Sequence, residues 1–171
     1  MSDLQIRLAR EDEFEAIAKL AVDAFAEFAA KMSPDAWSQF AQRIADVGAR
    51  EADDQVVVAV RDDELVGAVM LYTSGEDRHP DAYTIRGLAV PPEARGTGVG
   101  SALVEWCMQR AVDDGRARLV ATTTPEMEDA RELYHKHGFV RDPDLDEKPA
   151  PGVTAAGYAV KLSDRTVASA L

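Results

Sequence analysis

Apolar positions in the first third of the chain recur at helical spacing. A short alternating segment at residues 5–8 is typical of a strand, and "REDEFEAIAKLAVDAFAEFAA" follows it at residues 10–30. Within that stretch the apolar residues fall three and four apart, which predicts an amphipathic helix. The residues of its apolar stripe are Phe14, Ile17, Leu20, Ala21, Ala24, Phe25 and Phe28.

A second helix is predicted to begin at Ser33-Pro34. Serine can accept a hydrogen bond from a first-turn N–H group, and proline suits the first helical position. Gly48 is predicted to end this helix or to loosen it. Its apolar stripe consists of Trp37, Phe40, Ile44 and Val47.

The pattern then changes to strands. Residues 55–60 are apolar and rich in valine, residues 61–64 form a polar turn, and residues 65–72 are apolar again, which together predict an antiparallel hairpin. Residues 83–90 form the next predicted strand, and a helix from about residue 99 to 114 follows the segment "VPPEARGTGVGS".

The rest of the chain repeats this alternation. Residues 118–123, "RLVATT", are strand-like, and Thr124-Pro125 can cap a helix that Gly138 stops. A short strand from Phe139 and a last strand at residues 153–162 complete the pattern. The order of elements predicts one α/β domain with a mixed sheet, at residues 1–162, and a C-terminal tail at residues 163–171.

Composition and charge narrow the class of protein. The chain has 171 residues, 46% of them hydrophobic, which suits one domain with an ordinary core. Its net charge of −12 disfavours a nucleic-acid partner and attracts cationic ones. The single cysteine, Cys107, excludes an internal disulfide. Since the first residues lack a secretory pattern and no apolar run is long enough to span a membrane, we expect a cytoplasmic protein.

Three glycines at alternate positions separate a predicted strand from a predicted helix. Gly96, Gly98 and Gly100 would let a ligand approach the backbone N–H groups, and a phosphate is the natural candidate. ATP binding by a Walker loop is disfavoured because no lysine lies near Gly100. A dinucleotide site is disfavoured because residues 120–124 supply no acidic residue for a ribose. What remains is a pyrophosphate site built from N–H groups and a helix dipole.

Two segments resemble one known family. "LAVPPEARGTGVGSALVEWCMQRA", at residues 88–111, resembles the acetyl-CoA-binding motif of the GNAT superfamily of N-acetyltransferases. "ARELYHKHGF", at residues 130–139, is similar to the later helix of the same family. The resemblance covers nearly the whole chain. It implies a GNAT-like α/β fold, with a mixed central sheet of about six to seven strands flanked by helices and with splayed central parallel strands.

The resemblance also implies a cofactor site for acetyl-CoA as cosubstrate, with no metal. Main-chain groups of Leu88, Ala89 and Val90 would pair with the pantetheine arm as an added strand. A backbone N–H near Leu88 or Ala89 would stabilise the oxyanion. The pyrophosphate would be held by Arg95, Gly96, Thr97, Gly98, Val99, Gly100 and Ser101.

Tyr134 is the implied general acid. A phenol with an ordinary pKa of about 10 is protonated at neutral pH and can give its proton to the departing thiolate. The same residue lies on a helix stripe with Ala130, Leu133 and His137, so a packing role is the alternative.

The chain departs from the family pattern at two positions. Thr84 stands where many members carry a glutamate that acts as general base, and Arg86 lies two residues further on. Met127 stands where the family has an asparagine that steadies pantetheine. The general base is therefore unassigned, and cofactor affinity rests more on the glycine loop.

Other polar residues carry weaker signals. His79 can deprotonate an amine but is more simply a solvated loop residue. His135 and His137 face different ways on a helix, which disfavours a metal pair, and Cys107 is more simply a core residue than a nucleophile. The acidic groups at residues 53–54, 62–64 and 142–147 are most simply solvated surface, although one of them can attract an amine.

These observations favour an acetyl-CoA-dependent acetyltransferase in which the amine of a small molecule or peptide attacks the thioester directly. The amine is expected to be cationic in solution, because the net charge is −12. Two alternatives are a non-catalytic acyl-CoA sensor, which the threonine at position 84 keeps open, and an interaction module of a larger assembly. A monomer or a homodimer is expected, with no nucleic-acid or membrane partner.

Overall fold

A computed structural model of the protein describes residues 3–47, 55–73, 80–124, 127–150 and 153–162. The strands in these ranges are β1 (Gln5–Leu8), β2 (Gln55–Arg61), β3 (Glu64–Tyr72), β4 (Ala82–Ala89), β5 (Arg118–Thr123), β6 (Val140–Arg141), β7 (Glu147–Ala150) and β8 (Val153–Lys161). The helices are α1 (Phe14–Phe25), α2 (Pro34–Ala45), α3 (Val99–Asp113) and α4 (Glu128–Lys136). Gly48, His79, Pro125, the acidic pair at 53–54 and the predicted tail at 163–171 lie outside the described residues.

The second helix begins at the predicted Ser33-Pro34, and both N-terminal helices end earlier than predicted. Ser33 caps α2, where its Oγ accepts a hydrogen bond of 3.1 Å from the Ala36 N–H group. Phe28 was expected on the first helix, but α1 ends at Phe25 and a 3-10 helix follows over Ala26–Lys31. Val47 was expected on the stripe of the second helix; it is buried, but it lies beyond the end of α2.

The strands form a mixed sheet in the order β1-β2-β3-β4-β5-β8-β6, with β7 paired to β8. Among the described strands, β4 and β5 form the parallel pair, and the other pairs are antiparallel. Helices cover both faces. A hydrophobic core lies on each face of the sheet, because successive side chains of β2 point to opposite faces. Val57 packs with residues of α3, while Val56 and Val58 pack with Ile17 of α1.

The sheet opens at its centre. β4 and β5 pair from Ala82 opposite Arg118 to Ile85 opposite Ala121, although β4 continues to Ala89 and β5 to Thr123. The predicted splay of the central parallel strands is thereby confirmed. β4 also has a bulge, since Met70 pairs with Arg86 and Ala68 with Ala89, and Gly87 within it has φ +65°.

The described residues contain eight strands rather than the predicted six to seven. The additional strand, β7, begins at the last residue of the acidic segment 142–147, which was expected to be solvated surface. Asp146 and Glu147 have partly exposed side chains, and both also have partners within the protein. Asp146 accepts a hydrogen bond from the Gly157 N–H group and pairs with Arg141 at 2.5 Å, and Glu147 pairs with Arg86. Within the described residues, no helix has the length and apolar character needed to cross a membrane.

Candidate active site

A cleft of about 400 Å³ lies between the end of β4, the glycine loop and α4. We call it the loop cleft. The structure places most of the predicted cofactor residues on its wall, although Thr97 and Gly98 are not among the lining residues. Those that line the cleft are Leu88, Ala89, Val90, Arg95, Gly96, Val99, Gly100 and Ser101. Their binding role remains a prediction.

The three glycines of the loop serve two different purposes. Gly96 and Gly98 have φ +75° and +88°, and a Cβ atom on either would meet no heavy atom within 4 Å. They therefore allow the left-handed turns of the loop and leave space beside it. Gly100 instead allows close packing, because its Cβ atom would lie 2.9 Å from the Leu133 Cδ2 atom of α4.

The N-terminus of α3 suits an anion. Gly98 is its N-cap residue, and in this fully described helix no side chain caps the first turn and no acidic residue lies within it. The first-turn N–H groups of a helix have no intrahelical acceptors, and the helix dipole adds positive potential at the same end. A pyrophosphate group fits this end of the loop cleft.

Arg95 fastens the glycine loop to α1. Its Nε donates to the Val90 carbonyl and its Nη2 to the Ala24 carbonyl, both at 3.0 Å, while its Nη1 lies 2.5 Å from the Glu27 carboxylate. Three protein partners thus fix the guanidinium at the edge of the cleft. Its role in fixing the loop was not foreseen from the sequence, because Ala24 lies 71 residues away along the chain.

Thr97 likewise bonds within the protein. Its hydroxyl donates to the Ala94 carbonyl at 2.5 Å and accepts from Nη1 of Arg61 at 3.1 Å. This side chain stabilises the turn that precedes α3.

The hydroxyl of Ser101 is held at the cleft by a buried histidine. His137 Nε2 lies 3.2 Å from Ser101 Oγ, and His137 Nδ1 lies 3.9 Å from a carboxylate oxygen of Glu105. The sequence indicated only two roles for His137, a metal ligand, which was disfavoured, or a residue of the apolar helix face that includes Tyr134. The structure instead places it between α4 and the first turn of α3.

A second cavity, of about 330 Å³, lies on the other side of Leu88. We call it the inner cavity. It extends between the open ends of β4 and β5 and the helices α1 and α2, and it reaches Tyr134. The residues that border both this cavity and the loop cleft are Phe25, Leu88, Met127 and Ala130. The two spaces therefore adjoin at these residues, beside the bulge of β4.

Tyr134 combines a core position with a place on the inner cavity. Its side chain is 1% exposed, and its ring centroid lies 5.2 Å from that of Phe139 and 6.4 Å from that of Tyr158. Burial raises the pKa of Tyr134 above its ordinary value of 10.0, and the neighbouring Cys107 acts in the same direction. The phenol therefore stays protonated at neutral pH, as a general acid requires.

Of the two positions that depart from the family pattern, Met127 borders the cavities and Thr84 does not. Thr84 is buried between Tyr72 and Val120 in the sheet and lines neither cavity. Met127 presents an apolar side chain at the boundary of both cavities. Cys107 is a core residue as predicted, since burial raises the pKa of its thiol to about 12 and keeps it unreactive.

A charged cluster in the inner cavity was missed by the sequence reasoning. The guanidinium of Arg86 lies 4.9 Å from the centre of the Tyr72 ring and forms an ion pair with Glu147. All three residues line the cavity. The nearest signal in the sequence is Gly87, because a glycine within a strand pattern often marks a bulge that redirects its neighbours.

Comparison with known proteins agrees with this architecture. The family model described as "Acetyltransferase (GNAT) family" matches residues 14–139. A search of curated proteins finds no significant match.

Several solved structures share the fold. The paia N-acetyltransferase from Thermoplasma acidophilum, in complex with coenzyme A, is 15% identical with a TM-score of 0.72, over 93% of this chain and 99% of that one. The yncA protein from Salmonella typhimurium, with its cofactor acetyl-CoA, is 20% identical with a TM-score of 0.66, over 93% and 94%. A GCN5-related N-acetyltransferase from Rhodopseudomonas palustris is 21% identical with a TM-score of 0.71, over 94% and 97%.

Proposed function

Because the chain belongs to the GNAT acetyltransferase family, we propose that it transfers the acetyl group of acetyl-CoA to the nitrogen of an amine. The amine attacks the thioester directly, with both substrates bound. The observation that carries the proposal is that the loop cleft and the inner cavity adjoin at Leu88, with Tyr134 on the wall of the inner cavity. One space is open to each substrate, and the reacting atoms meet between them.

The residues of the loop cleft fit acetyl-CoA. The first turn of α3 and the loop from Gly96 to Ser101 would hold the pyrophosphate, and the main chain of Leu88 to Val90 would hold the pantetheine arm. The splay supports the second assignment, because the end of β4 does not pair with β5 there. When bound, acetyl-CoA supplies an activated acetyl thioester.

Two groups of this chain would assist the reaction. A backbone N–H at Leu88, which borders both spaces, or at Ala89, which borders the loop cleft, would stabilise negative charge on the carbonyl oxygen. The Tyr134 hydroxyl would protonate the leaving thiolate. The ring is fixed by the packing of Phe139 and Tyr158, so the acid is held in place before reaction.

The acceptor is proposed to be an amine that is cationic in solution. With acetyl-CoA saturating, we expect kcat/KM for such an amine to fall severalfold between about 50 mM and 500 mM salt, with kcat nearly unchanged, because salt screens attraction to a protein of charge −12. Sucrose of equal osmolarity is the control. Faster turnover of neutral or acidic acceptors, without any salt dependence, would contradict this steering.

The experiment that tests the proposed function is release of free thiol from acetyl-CoA in the presence of a panel of amines and peptides. Amine-dependent release is the expected result. If coenzyme A raises the melting temperature but no amine causes thiol release, the protein is instead a sensor of acyl-CoA.

A further inference from the structure

Glu147, the first residue of β7, brings a carboxylate to the wall of the inner cavity. It lies at the start of β7, where Glu147 pairs with Ala155 of β8. Its side chain is 38% exposed and contacts the Arg86 guanidinium, whose own side chain is 24% exposed. Tyr72 packs against the same guanidinium. The carboxylate thus lies against a guanidinium that also contacts an aromatic ring.

The position of this carboxylate relates it to the reaction. Arg86 directly precedes Gly87 and Leu88, and the bulge of β4 begins at this point. Leu88 borders both the loop cleft and the inner cavity. A cationic group held by Glu147 therefore lies on the acceptor side of the place where the thioester is expected.

The remaining wall of the inner cavity is largely apolar. α1, α2 and the turn after α2 contribute aliphatic and aromatic side chains, which favour a ligand with an apolar body. The apolar side chains on this side are Ile17, Ala21, Phe25, Phe40, Ile44 and Val47, and the charged ones are Arg43 and Asp46.

The charges of the cavity argue against a polycation. Among the described residues that line it, Asp46 and Glu147 are balanced by Arg43 and Arg86, so the wall has no excess of negative charge. Each further buried ammonium of a polyamine would need its own carboxylate. A ligand carboxylate would compete with Glu147 for the Arg86 guanidinium and would repel the Glu147 carboxylate, which disfavours an amino acid.

We propose that the inner cavity accepts a monoamine with an apolar body and that Glu147 is the specificity-determining residue that receives its ammonium group. The proposal rests on the proposed function, since it names the acceptor class for the same site. The ammonium must lose a proton before its nitrogen can attack, and the partly exposed Glu147 side chain leaves that proton a route to solvent.

Binding of matched amines to the wild-type protein saturated with coenzyme A tests the acceptor class without turnover. We expect phenethylamine to bind at least tenfold more tightly than phenylalanine, which has the same ring and an added carboxylate, and than spermidine, which has several charges. Calorimetry or the shift in melting temperature measures the affinities. Tighter binding of phenylalanine or spermidine would overturn the acceptor class.

The variant Glu147→Gln tests the residue. It removes the charge while keeping the shape, and we expect both the dissociation constant and the Michaelis constant for phenethylamine to rise about tenfold, with kcat at saturating amine and coenzyme A affinity nearly kept. Glu64→Gln is the matched control, because it removes one exposed carboxylate from β3, outside both cavities. Glu147→Asp should recover part of the affinity.

The outcomes separate the two proposals. Specific binding of the monoamine that depends on Glu147, without thiol release, would support this inference while contradicting catalysis. Thiol release with equal Michaelis constants for the amine in the Glu147→Gln and Glu64→Gln variants would support catalysis and overturn the role of Glu147. If Glu147→Gln lowers the melting temperature too far for assay, the comparison of amines on the wild-type protein still decides the acceptor class.

Discussion

Replacement of Tyr134 by phenylalanine is expected to lower kcat by about 10² to 10⁴ while the affinity for coenzyme A is nearly kept. The substitution removes one hydroxyl and leaves the ring between Phe139 and Tyr158. Stability should change little for the same reason. Because burial raises the pKa of Tyr134 above 10.0, its ionisation should not lower kcat of the wild type below about pH 10. Thiol release and melting temperature measure the two effects.

Two further variants distinguish a general-acid role of Tyr134 from a packing role. Tyr158→Phe removes the hydroxyl of a neighbouring tyrosine that lines neither cavity, so turnover should be near that of the wild type. Tyr134→Ala should lower the free energy of unfolding by roughly 3 to 5 kcal/mol, as loss of a large core aromatic does. Wild-type turnover in the Tyr134→Phe protein would remove Tyr134 from the catalytic residues and leave it a packing role.

Replacement of Gly96 by leucine is expected to abolish the rise in melting temperature that coenzyme A produces. Gly96 lines the loop cleft with φ +75°, and its Cβ atom would meet nothing within 4 Å in the folded protein. The new side chain would therefore enter space that the fold leaves for a ligand. The cost to stability comes from the left-handed backbone and should be about 1 to 2 kcal/mol.

Gly115 supplies a matched control for that variant. It lies after α3 with φ +74°, a Cβ atom there would also meet nothing within 4 Å, and it lines neither cavity. Gly115→Leu should lower stability by a similar amount and keep the response to coenzyme A. If coenzyme A raises the melting temperature of the Gly96→Leu and Gly115→Leu variants by the same amount, the glycine loop does not hold the cofactor.

The helices and the longer strands could be predicted because their signals are local. The run of valines in β2 and the Ser33-Pro34 start of α2 are each contained in a few residues. Strand β7 could not be predicted, because its sequence "EKPA" is short, charged and interrupted by proline. It is held by pairing with β8 and by the contact of Glu147 with Arg86, which is 61 residues away in sequence.

The two parts of the candidate site also differ in how far the sequence predicts them. The loop cleft could be predicted because residues 88–101 are contiguous in sequence and contain the glycine pattern. The inner cavity could not, because distant segments form it: α1, α2, β7 and the bulge at Gly87. The role of His137 was missed for the same reason, since its contact with Ser101 joins two helices.

Individual glycines also show what a motif leaves open. The pattern suggested one purpose for three glycines, namely access to backbone N–H groups. Gly96 and Gly98 have the positive φ angles that such a loop needs, but Gly100 permits contact of α3 with Leu133. The spacing of the glycines predicts positions at which a side chain is not tolerated. Only the fold shows which neighbouring helix excludes the side chain, as α4 does at Gly100.

The central claim is that acetyl passes from the loop cleft to an amine in the inner cavity, and identification of the product tests it most directly. The protein is incubated with isotope-labelled acetyl-CoA and phenethylamine, and the amide and the free thiol are measured together by mass spectrometry. The account predicts labelled N-acetyl product and free thiol in equal amounts, both strongly reduced in the Tyr134→Phe variant. Thiol release without labelled amide, or no product for any amine tested while coenzyme A binds, would contradict it.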